Sequence, residues 1–112
     1  YEKSLSYYER LCERDDPSYE DCLNRALALR ALGRYGESQR RLQEMRSEYP
    51  EDYRVLMWIC YDILDEAASE GDYSDVESDL GFVYDSCRHI YDRQGAEDED
   101  MERLIGIVEG LE

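Results

Sequence analysis

Residues 33–52 read GRYGESQRRLQEMRSEYPED. The stretch opens on Gly-x-Tyr, runs through a mixed apolar and charged segment, and closes on Tyr-Pro-Glu-Asp. A glycine in that place suits the left-handed residue that ends a helix. Leu42, Met45 and Tyr49 follow at spacings of three and four, which sets them on one side of the next helix. The same punctuation occurs twice more. The chain begins YEKSLSYYERL and reaches Pro17, and GDYSDV follows at residues 71–76. Tyr1 and Tyr35 lie 34 residues apart; Tyr35 and Tyr73 are four further apart than that. Pro17 and Pro50 close the first two units at 16 and 15 residues past their tyrosines. A period of this size indicates stacked structural repeats.

Within the units the period is helical. Leu56, Ile59, Cys60 and Ile63 occupy one helix face, and Met57, Tyr61, Leu64 and Ala68 a second face of the same segment. A helix apolar on two sides is sandwiched between neighbours or lines a groove. Val76, Leu80, Val83, Cys87 and Ile90 mark the next helix. Gly33, Gly71 and Gly95 each follow a helical segment, the prolines stand near helix starts, and acids gather there (Glu51-Asp52, Asp72, Glu97-Asp98), where they complement the helix dipole. No sustained alternation or hairpin turn predicts a strand. The expected helices are 2–14, 18–32, 35–48, 52–70, 73–93 and 97–111, with connections short enough for antiparallel packing.

Composition fits one all-α domain. The 112 residues are 42% hydrophobic and 38% charged, enough for a single modest core. The longest apolar run, Val55 to Tyr61, is far below the ~18 residues of a membrane span. No signal peptide is evident at the start, and a first residue other than Met suggests an excised piece of a longer protein. Net charge is −16, and residues 53–112 hold 17 acids against 4 bases. Such a surface repels phosphate backbones and anionic membranes. The four cysteines form no C-x-x-C pair and sit among apolar neighbours, which predicts free, buried thiols and a reducing, cytoplasmic setting; a disulfide framework is the weaker alternative, given the irregular spacing.

A helix–turn–helix unit with Gly-x-Tyr at the turn and a closing Pro resembles the tetratricopeptide repeat. Residues 19–50 carry the likeness best, with Ala26, Gly33, Tyr35, Ser38 and Pro50 in register. Cys22, Arg25 and Met45 depart from the pattern, standing where an aromatic, an apolar residue and an alanine are usual. The resemblance implies a single domain forming a right-handed superhelix of about six antiparallel helices. On that likeness residues 1–17 would be the second helix of a truncated repeat, 19–52 one repeat, 53–93 a repeat with a long first helix, and 97–111 a capping helix. A narrower likeness lies in EYPEDYRVLMW (48–58), GDYSDV (71–76) and EDEDMERLI (97–105), which resemble the repeat region C-terminal to bacterial serine/threonine protein kinases. It implies an accessory domain; no Gly-rich loop, H-R-D or D-F-G of a kinase occurs in the chain.

The resemblance also implies a concave face lined by each unit's first helix. Its groove residues would be Leu23, Leu27 and Arg30, then Met57, Tyr61 and Leu64, with Arg54 at the entry. Aromatic, Met and Arg anchors are what protein interfaces favour. The expected partner is a protein or peptide, extended or helical, whose acidic or C-terminal carboxylate groups meet Arg30 and Arg54. The alternative is that the last helix or the surroundings of Trp58 cover this stripe, leaving a structural spacer with no peptide ligand. Residues 1–14 carry Leu5, Tyr8, Leu11 and Cys12 on one side with Tyr7 beside it; one face would pack on residues 18–32 and the other would be exposed and apolar, open to self-association.

No enzyme is indicated. His89 is the only histidine; Asp85 and Asp92 share its helix face, but no second His or Cys pair completes a metal shell. The runs DYSDVESD (72–79) and EDED (97–100) lack the order of a calcium loop. One histidine in a helical repeat gives a nucleophile no paired base. No catalytic residue, metal or cofactor is expected.

Overall fold

The computed structural model describes residues 2–13 and 18–111. They form six α-helices: α1 Glu2–Cys12, α2 Tyr19–Ala31, α3 Tyr35–Glu48, α4 Tyr53–Glu70, α5 Val76–Gln94 and α6 Glu99–Leu111. There is no strand among the described residues. Tyr1 and Pro17, two of the repeat landmarks, lie outside them. Each of α1 to α4 packs on the next helix along the chain, and α6 packs on α4. The principal extents are 42 × 34 × 22 Å. The shortest is about twice the ~10–12 Å diameter of a helix, so the molecule is two helices thick.

Local chemistry explains the boundaries. Ser18 caps α2 by accepting a hydrogen bond from the Asp21 N–H at 3.1 Å, and Asp52 caps α4 by accepting from the Arg54 N–H at 2.9 Å. Gly33, Gly71 and Gly95 sit at φ +79°, +68° and +63°, the left-handed region expected of them. Pro50 lies in the α3–α4 turn, two residues ahead of the cap, rather than inside the helix start. Helix α5 begins at Val76, three residues later than the pattern predicts. The cause is Asp72, whose Oδ1 accepts from the Ser74 N–H at 3.0 Å and its hydroxyl at 2.6 Å, stabilising a local turn in place of a helical one.

One large core runs through α2 to α6. Ala26, Leu42, Val55, Cys60, Cys87, Met101 and Leu104 are fully enclosed within it. A satellite cluster joins Leu5 of α1 to Ala28 and Leu29 of α2, while Tyr7 stays exposed. Cys60 and Cys87 are free and buried, as expected. Burial pushes both thiols up, Cys87 to about 12, so neither is a ready nucleophile.

The other two cysteines depart from expectation: Cys12 and Cys22 are disulfide-bonded, their Cα atoms 5.1 Å apart. The α1–α2 hairpin brings them face to face, a juxtaposition invisible in their irregular spacing. Disulfides persist in oxidising surroundings, so these two residues no longer support a reducing compartment. Cys12→Ser is expected to cost about 2–3 kcal/mol, the loop-closure entropy of a ten-residue bridge. Because α1 packs principally on α2, the loss should be local. Amide exchange should accelerate over residues 2–12 and stay slow around Leu42; uniform acceleration would contradict this.

Candidate partner-binding face

Two helices of the same direction build the face. The Arg54 guanidinium lies 4.9 Å from the Tyr19 ring, joining the starts of α4 and α2. Arg30, at the end of α2, reaches Asp62 and Asp65 in the second half of α4. Start meets start and end meets end, so α2 and α4 run parallel, with α3 returning between them.

Arg30 organises the centre. Its Nε donates to Asp62 Oδ1 at 2.9 Å and an Nη binds Asp65 Oδ2. Ser38 Oγ of α3 donates to the other Asp62 oxygen at 2.5 Å. Asp62 is wholly buried, yet α2 and α3 each supply it a hydrogen-bond donor. Burial dominates and raises its carboxyl to about 6, although both hydrogen bonds pull the other way. The Arg30 guanidinium stands 5.2 Å from the Trp58 ring and 5.9 Å from the Tyr61 ring, and those rings lie 5.3 Å apart. Trp58 keeps part of its surface in solvent. The result is a cation fixed by two carboxylates over an aromatic pair.

The far side of α4 is closed by α6. Tyr61 Oη donates to the Asp100 carbonyl at 2.5 Å, and Tyr53 Oη to Asp98 Oδ2 at 2.8 Å. Tyr91 Oη accepts from the Asp98 N–H at 3.1 Å and donates to Glu102 at 2.9 Å. Burial and then Asp98 raise Tyr53 to about 12, which keeps it a donor at any ordinary pH. Cys87 Sγ faces the Tyr53 carbonyl at 3.3 Å.

The expected groove residues therefore separate. Leu23, Met57, Tyr61 and Leu64 are buried in the core. Leu27 is half-buried one turn before Arg30. Arg30 and Tyr61 meet at the centre, but Arg30 is already engaged by Asp62 and Asp65 and cannot serve as an open carboxylate receptor. Arg54 pairs with Asp52 at 3.5 Å and stays part-exposed at the other end of the stripe. Trp58 was not among the expected groove residues; its i, i+4 relation to Arg54 and i, i+3 relation to Tyr61 was the signal that could have placed it there. Arg25, anomalous in the repeat pattern, is buried with its Nε unpartnered and Glu44 at 4.0 Å.

His89 is exposed on α5, and no group of three or more His, Cys, Asp or Glu side chains able to hold a metal occurs among the described residues. No described helix is long and apolar enough to cross a membrane. The chain matches no protein-family model, no curated protein and no solved structure.

Proposed function

We propose that the chain is a protein-interaction module of tetratricopeptide-like architecture, docking a partner segment on the face where α2 and α4 run side by side. The observation that carries this is the part-exposed Trp58 held beneath the immobilised Arg30 guanidinium. Interface hot spots concentrate in Trp, Tyr and Arg, and a side chain already fixed loses little entropy on binding. Arg30 is fixed by Asp62 and Asp65, so its role is to hold the aromatic platform. A partner's apolar side chain would cover Trp58 and Leu27, and a carboxylate would find Arg54 or the exposed Arg103. The sequence likeness to kinase-attached repeats suggests service as an accessory domain of a larger signalling protein.

A spacer without its own ligand is the second reading. It is favoured by the burial of Leu23, Met57, Tyr61 and Leu64, four of the seven expected groove residues. Parent-protein pull-down with Trp58→Ala separates the two. The first reading expects binding to fall about 30-fold, equivalent to a hot spot of about 2 kcal/mol, with the melting profile retained. Undiminished capture by a folded Trp58→Ala variant would leave the spacer reading.

A further inference from the structure

A second surface stands apart from the Trp58 face, so either can fail alone. Helix α6 packs on α4 rather than along α5, and a cleft of about 170 Å³ remains between α5 and α6. Leu80 and Tyr84 form one side, Val108 and Leu111 the other. Gly81 opens the wall between them: a Cβ built there meets no atom within 4 Å. Small-molecule pockets occupy about 300–1,000 Å³, so this space suits one or two anchoring side chains rather than a cofactor.

The cleft has an apolar floor and an acidic rim. Leu111 is 52% exposed, and Ile107, one turn earlier on α6, 39% exposed. Glu77 and Asp85 line the cleft two turns apart on α5. Among the described residues neither has a cation within 4.0 Å, whereas nearby Arg88 is engaged by Asp92 at 3.1 Å and Glu109 at 3.8 Å. The acids belong to the half of the chain that carries 17 acids against 4 bases. Like charge opposes a second copy seating there, and an anionic bilayer is repelled for the same reason. Apolar anchors framed by unpaired acid call for a partner that is apolar on one face and basic on the other. We propose that the α5–α6 cleft docks the apolar face of a basic amphipathic helix from a partner protein.

The probe is a fluorescent synthetic helix of about 16 residues, roughly 24 Å long, with Leu at i, i+3, i+4 and i+7 and Lys elsewhere. Anisotropy should report binding to the wild-type chain, and a scrambled peptide of equal composition should bind at least about tenfold more weakly. Gly81→Leu fills the cleft from open space, and Leu111→Ser removes an anchor without burying anything new. Each should weaken binding about tenfold with circular dichroism unchanged; Leu111→Ser decides if Gly81→Leu misfolds. Glu77→Lys/Asp85→Lys should weaken it at least as much, and the distant Glu48→Lys/Glu70→Lys pair, with the same charge change, less than about twofold. Equal binding of the scrambled peptide, equal effects of the two charge pairs, or no binding would overturn the proposal. So would a concentration-dependent dimer that Gly81→Leu and Leu111→Ser abolish, since that would make a second copy the occupant.

Discussion

Arg30→Ala is expected to destabilise the protein by about 3–5 kcal/mol near pH 8, the cost of stranding a buried charge by removing its partner. Asp62 is enclosed on every side, and Arg30 is its only cationic neighbour within 4.0 Å among the described residues. Ser38 would remain as a single neutral donor. Loss of the guanidinium also uncovers Trp58 and removes the tie to Asp65. The effect has an internal check. A stranded carboxylate can take up a proton, so the penalty should shrink as pH falls to 5, and Asp62→Asn added to Arg30→Ala should recover much of the lost stability. Urea titrations of the two single variants and the double variant give the comparison. A loss under about 1 kcal/mol at pH 8 would mean that Asp62 is not held as the geometry indicates.

Acidification from pH 8 toward pH 4.5 should stabilise the wild-type chain relative to Asp62→Asn by about 2 kcal/mol. The sign follows from where the proton sits. The folded carboxyl is raised from 3.8 to about 6, so between those values the folded state holds a proton that the unfolded state has released. Stability therefore rises as pH falls through 6, and the burial cost is fully present above it. The groups facing Asp62 are Arg30 from α2, Ser38 from α3 and Asp65 from its own helix. None of them reverses the direction. Relief of repulsion among the −16 net charges acts the same way, which is why the asparagine variant is the necessary reference. Parallel stability curves for the two proteins would refute the assignment.

The helices were legible because their signals are local. Leu42, Met45 and Tyr49 mark a face by spacing alone, and the three left-handed glycines mark ends by a steric rule. The start of α5 was misplaced because Asp72 competes for the same backbone groups, a choice between two local structures that periodicity does not see. The candidate face was only half legible. Spacing put Met57, Tyr61 and Leu64 on one side of α4, but whether that side meets water depends on α6, which arrives from some 40 residues away. Arg30 was recognised as a surface cation, yet its engagement by Asp62 and Asp65 is a cross-helix event with no sequence period. The Cys12–Cys22 bridge was missed for the same reason.

With one exception, α6 on α4, every main packing partner is the next helix along the chain. Such a chain closes few long loops as it folds, so its topology favours rapid collapse into order. Among the described residues no helix ties both ends to the middle. Opening should spread inward from the termini in steps, each helix shielding the one behind it, with the α3–α4 pair the last to yield. Whatever it holds beside Trp58 is therefore gripped by the slowest-opening part of the molecule, and the α5–α6 cleft by a part that lets go sooner.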